Sequence, residues 1–168
     1  MSDTERRGRH PALIDEETGL PNRLHFDTVF DVLFENGARG FHSTVLLLGI
    51  DGYDGWIAGK MPEEAVRLVR MVGRTLVPLV RKADLLARTG ETRFTMGLVD
   101  CNLAGAVLVA DRIDGELDSI RESTGLGFSL GGAGFDHDMK TPEDQMGAAE
   151  AALEAARSRG PNQMEFHR

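Results

Sequence analysis

The chain has a single cysteine, Cys101, so no disulfide can form within it. It has no surplus of positive charge either. Nineteen Lys and Arg stand against 27 Asp and Glu, a formal charge of −8. Phosphate backbones call for a clustered, net basic surface, so nucleic acid is excluded as the expected partner. A small phosphate ligand held by a few arginines is not excluded. The opening residues, MSDTERRGRHPALIDEE, contain no apolar run of signal-peptide length, and no stretch suggests a membrane partner. A cytoplasmic location is expected.

The rest of the composition is globular: 41% hydrophobic and 27% charged over 168 residues, long enough for one self-sufficient core. Residues 1–12 read as a flexible charged tail bearing Arg6, Arg7 and Arg9, and residues 13–168 as one domain. Gly19 and Pro21 mark a turn. Leu24, Val29, Phe30, Leu33 and Phe34 then form the apolar stripe of a helix that Asn36 and Gly37 are expected to end. Asp15 and Arg23 are expected to form a structural ion pair. Thr44–Ile50, TVLLLGI, is an aliphatic and β-branched run suited to a central strand buried on both faces.

Pro62, Glu63 and Glu64 suit a helix start. Behind them Ala65, Val69, Val72, Leu76 and Val80 make an inward stripe, with Arg67, Arg70 and Arg74 on a solvated face. Pro78 should kink or tighten the last turn. Leu103–Ile120 reads as one helix with Ala106, Val109, Ala110, Ile113 and Leu117 inward. Gly127–Ala133 reads as a strand. Thr141 caps a helix with Met146, Ala149, Leu153 and Ala156 on one face, and Gln163–Phe166 suits an edge strand.

The chain is organised around Val80–Phe94, VRKADLLARTGETRF. Leu85, Leu86 and Ala87 read as a short buried strand. Thr89-Gly90-Glu91-Thr92 reads as a tight hairpin, and Phe94, Met96 and Leu98 as a returning strand with one buried face. Taken alone, Arg81 and Asp84 could be a local salt bridge of little worth, and Arg112 an exposed helix arginine.

This stretch resembles the signature hairpin of GGDEF domains, the diguanylate cyclase family that joins two GTP molecules into cyclic di-GMP. The five signature positions fall on Gly90, Glu91, Thr92, Arg93 and Phe94, of which only the first glycine and the phenylalanine agree. Asp15, Thr18, Gly19, Leu20, Asn22 and Arg23 match most of the family's entry motif, with Glu17 in place of a leucine. Arg81 and Asp84 form an RxxD at the family's spacing for the inhibitory site that binds cyclic di-GMP. Arg112, in ADRI, matches an arginine that supplements that site, often from a neighbouring subunit. ALEAARSRGPN, residues 152–162, stands where the family has ALYxAKxxGRN. Arg157 there replaces a phosphate-binding lysine and Pro161 an arginine.

The resemblance implies an α+β fold like the palm of nucleotidyl cyclases: a central, mostly antiparallel sheet of five strands flanked by helices on both faces. It also implies losses. The two carboxylates that hold Mg²⁺ fall on Gly49 and Thr92, which offer none to a hard cation. No metal and no cofactor are therefore expected. The family's guanine-reading positions fall on Ile57 and Val66, and a buried guanine left unread would cost roughly 1–3 kcal/mol per polar group.

Three functions follow as expectations. The first is a catalytically inactive domain that receives cyclic di-GMP at Arg81, Asp84 and Arg112, with no enzymatic activity. The second is a docking or dimerisation module that binds no nucleotide and meets a partner signalling protein or its own copy. The third is residual cyclase activity, or GTP binding in a changed pose through Arg157 and Arg93.

Overall fold

Nine consecutive residues with an aliphatic and β-branched middle, Ser43–Asp51, form β1, the middle strand, in a computed structural model that describes residues 11–168. Residues 1–10, which carry most of the expected tail, lie outside the described residues. The other strands are β2 (Leu85–Gly90), β3 (Arg93–Val99), β4 (Gly127–Gly134) and β5 (Met164–His167). They make one five-stranded sheet in the order β2-β3-β1-β4-β5, antiparallel except for the β4–β5 pair. The α+β architecture expected from the sequence is the observed one.

The helices are α1 (Arg23–Ala38), α2 (Tyr53–Ile57), α3 (Pro62–Leu76), α4 (Leu103–Glu116), α5 (Asp118–Thr124) and α6 (Pro142–Ser158). The period-2 alternation of β1 divides the core between its two faces. Leu46, Leu48 and Ile50 pack with Val69 and Leu76 of α3 and Ala110 and Ile113 of α4. Val45 and Leu47 pack with Phe26 and Phe30 of α1 and Leu153 of α6. Among the described residues, no helix is long and apolar enough to cross a membrane.

Several local expectations are corrected. In α1 the buried side chains are Phe26, Phe30, Leu33 and Phe34, whereas Leu24 is 59% exposed. Asn36 and Gly37 lie inside the helix, which runs on to Ala38 because a left-handed residue first occurs at Gly40 (φ +95°). β3 is buried on both faces: Phe94, Met96 and Leu98 join the core under α3 and α4, and α1 covers the second side. A Cβ on Gly97 would meet Leu33 Cδ1 at 2.8 Å.

Leu103–Ile120 is two helices that meet at Leu117, where the guanidinium of Arg121 takes the carbonyl of Asp114 at 2.7 Å. Pro78 sits in a 3₁₀ turn, Val77–Leu79, so it tightens the end of α3. The Asp15–Arg23 pair is not formed. Arg23 lies on the exposed surface 3.5 Å from Asp27, one helical turn on, and Asp15 is engaged elsewhere.

Candidate functional site

α3 and its 3₁₀ extension end at Leu79, and the backbone turns sharply into β2. The N–H of Asp84 donates to the Arg81 carbonyl at 3.0 Å, and the N–H of Arg81 donates to Asp84 Oδ2 at 2.8 Å. Asp84 Oδ1 accepts from the N–H of Val99, at the end of β3, at 3.0 Å. The carboxylate is therefore 4% exposed while the Arg81 side chain is 62% exposed. The guanidinium returns to Asp84 at 3.4 Å and also donates to the Val99 carbonyl. Hydrogen bonding to Asp84, and then its charge, raises the guanidinium above its ordinary titration range.

Arg112, on the exposed side of α4, lines the same cavity of about 330 Å³ as Arg81 and Asp84, together with Asp100, Cys101 and Asn102. Two arginines from separate elements thus border one hollow that also holds acceptors. Burial pushes the Cys101 thiol up, which keeps it protonated there.

A second hollow, of about 730 Å³, opens at the end of β1. Glycines 52, 55, 125, 127 and 160 line it together with Asp51, Tyr53, Thr92 and Arg157. Arg157, in the last turn of α6, donates from Nε to Asp51 Oδ1 at 3.0 Å and approaches Glu154 at 3.4 Å. Asp51 Oδ2 accepts from the Ser129 hydroxyl at 2.6 Å and from the Asn162 N–H at 3.3 Å. Burial, and then the neighbouring Glu91 carboxylate, hold the Tyr53 phenol above its ordinary range.

The signature turn borders this hollow. Arg88 pairs with Phe94 and Gly90 with Arg93, so Glu91 and Thr92 form the tip and Thr89 is left in a bulge. Glu91 is exposed, and the Thr92 carbonyl accepts from the Ile50 N–H at 3.0 Å. Arg93 leaves the tip to pair with Glu150 of α6 at 3.1 Å.

Residues 12–163 match the domain family described as diguanylate cyclase, GGDEF domain. The chain belongs to this family. It is 26% identical, over 98% of its length, to the probable diguanylate cyclase DgcC of Escherichia coli strain K12, and spans 46% of that relative, about half. The GGDEF domain of DgcB from Caulobacter crescentus, solved in complex with c-di-GMP, is similar with a TM-score of 0.85 and 22% identity, covering 95% of this chain and 98% of that one. The diguanylate cyclase SiaD from Pseudomonas aeruginosa, solved with its activator SiaC, is similar with a TM-score of 0.86 and 22% identity, covering 98% of this chain and 65% of that one.

The residues at the end of β1 do not fit a divalent metal in this GGDEF domain. Gly49 and Thr92 carry no carboxylate, and both oxygens of Asp51 already have donors from the chain. Asp54, on the exposed side of α2, is the other carboxylate that lines the hollow. Among the described residues no three His, Cys, Asp or Glu side chains stand together as a metal site. A Cβ built on Gly49 would lie 2.7 Å from the guanidinium carbon of Arg157, so the space a carboxylate side chain would need is occupied by a cation. Ile57, at the end of α2, packs against the core, and Val66 is half-buried on α3. Neither presents a donor or an acceptor.

Sequence reasoning missed Arg88. Its side chain is 8% exposed and meets Asp15 at 3.3 Å, Glu17 at 3.1 Å and the Glu91 carbonyl at 2.9 Å, fastening the entry motif to the signature turn. A charged residue inside the apolar run LLART was the available signal, since a buried guanidinium requires acids around it.

Proposed function

We propose that this GGDEF domain receives cyclic di-GMP at the Arg81–Asp84–Arg112 cavity and does not make it. One observation carries this reading: two elements distant in sequence bring both arginines and the Asp84 carboxylate to a single hollow. A guanidinium fork matches a phosphate or the O6/N7 edge of guanine, and the Asp84 carboxylate, which accepts from the Arg81 and Val99 N–H groups, anchors the turn that presents Arg81. The c-di-GMP complex of the DgcB domain supports the ligand class. The inactive half of the proposal rests on the absence of carboxylates at positions 49 and 92 and on Arg157 in their space. Without the metal the site loses its main means of stabilising developing charge.

The discriminating experiment is calorimetric titration of the domain with cyclic di-GMP, with GTP, and with GTP plus Mg²⁺. Saturable binding of cyclic di-GMP alone is the expected result. No heat with cyclic di-GMP at high micromolar concentration would overturn the receptor reading.

A second reading has its own observation. Asp84 already serves the backbone of Arg81 and Val99, so the RxxD can be explained as a structural corner. In that case the domain docks a protein partner or a second copy, as SiaD is solved with SiaC, and binds no nucleotide.

A further inference from the structure

We infer that Arg157 is a resident cation at the end of β1, and that this hollow refuses a divalent metal even when the missing carboxylates are restored. The inference rests on reading positions 49 and 92 as former metal positions, and it concerns a hollow that shares no lining residue with the Arg81 cavity.

The fold places the guanidinium there. Gly131 lets α6 lie directly on β4, for a Cβ at that position would stand 2.6 Å from Leu153 Cα. The last turn of α6 is thereby held close to the end of β1. Arg157 reaches across it to Asp51, whose side chain is 13% exposed against 28% for the arginine. The pair is thus partly withdrawn from water, where opposite charges hold each other more firmly than on the open surface.

Glycine at 49 is the other half of the arrangement. A side chain there would make only the flexible end of Arg157 give way, since its Nη2 lies closest of all to the missing Cβ, and would leave the guanidinium beside it. Arginine offers only N–H donors, whereas Mg²⁺ and Mn²⁺ need several oxygen ligands. A dication entering the hollow would meet a fixed positive charge, an Asp51 already satisfied from two sides, and one further lining carboxylate, the exposed Asp54 of α2, which falls short of the oxygen set a hard cation needs. An aspartate introduced at 49 would accordingly pair with Arg157 and be lost to a metal.

The test is Mn²⁺ binding, followed by the loss of the free-ion electron paramagnetic resonance signal, on three proteins: wild type, Gly49→Asp/Thr92→Glu, and that double variant with Arg157→Met. Wild type and the double variant are expected to leave the signal unchanged. The triple variant should bind Mn²⁺ about tenfold more tightly or better than the double variant. Mn²⁺ binding by wild type, equal binding by the double and triple variants, or no binding by a folded triple variant would each overturn the inference.

A second measurement covers a triple variant that does not fold. Gly49→Asp should lower the melting temperature more in an Arg157→Met background than in wild type, because only the latter supplies a partner for the new carboxylate. Equal losses would count against a resident cation. Titration of wild type with cyclic di-GMP reports on the receptor reading separately, and its failure would leave the Mn²⁺ result standing.

Discussion

Arg88 Nη1 lies 3.3 Å from both carboxylate oxygens of Asp15, a contact between residues 73 apart in sequence. It ties the first strand of the signature hairpin to the entry motif. Arg88 also donates to Glu17 and the Glu91 carbonyl, so one side chain joins the entry motif to the tip of the hairpin.

Arg88→Met is expected to destabilise the domain by about 3 kcal/mol, the lower end for breaking a buried ion pair, because Asp15 and Glu17 can still turn toward water. Glu17→Gln, at a side chain 45% exposed, should cost less than about 1 kcal/mol. Urea denaturation of both variants checks this, and equal losses would show that Arg88 is not the central member of the cluster.

Arg81 and Asp84 should separate on substitution. Arg81→Ala removes an exposed cation, so it should weaken cyclic di-GMP binding about 10- to 150-fold and hardly move the melting temperature. Asp84→Ala removes the acceptor for two backbone N–H groups, and should lower stability by roughly 1.5–3 kcal/mol whether or not ligand is present. Calorimetry and melting curves on both variants decide this; matched melting curves would contradict the structural role of Asp84.

Incubation with GTP and either Mg²⁺ or Mn²⁺ should yield no cyclic di-GMP by chromatography, since positions 49 and 92 carry no carboxylate. Product at an ordinary enzymatic turnover would refute the proposed inactivity.

The start of α6 should show an acid-dependent contribution. The Asp144 carboxylate accepts from the Lys140 N–H at 2.8 Å and the Thr141 N–H at 2.9 Å. These bonds hold its carboxyl below the ordinary value of 3.8. A depressed folded value means the stabilisation is complete above about 3.8 and is lost as pH falls through the lower folded value. Asp144→Asn should therefore flatten stability against pH in that acid window and leave its slope near neutrality unchanged. Thr141→Ala, which removes the other half of the capping box, should cost about 1 kcal/mol near neutral pH.

The sequence by itself determined most of the elements and their order, though not the short helix α2 or the break between α4 and α5. β1 was legible because an aliphatic run too short for a typical helix suits a strand buried on both faces. The hairpin was legible because turn residues separate two strand patterns, and the Thr141 cap because Thr, Pro and Asp fall at cap spacing. Each of these is a property of neighbouring residues, and neighbours are what a sequence displays. The RxxD and Arg112 were also named from the sequence, but their meeting in one hollow depends on how α4 packs beside the end of α3.

Only the tertiary structure decided which charges pair. Arg23, near Asp15 in sequence, points to Asp27, while Arg88 arrives from the sheet to take Asp15. Arg157 could be read only as a retained positive charge until α6, lying close on Gly131, laid its guanidinium over Gly49. Leu24 and the second face of β3 were misjudged for the same reason. Periodicity tells which residues share a face, but what covers that face is set by contacts between segments far apart in the chain, and those exist only once the sheet and its two helical layers have assembled.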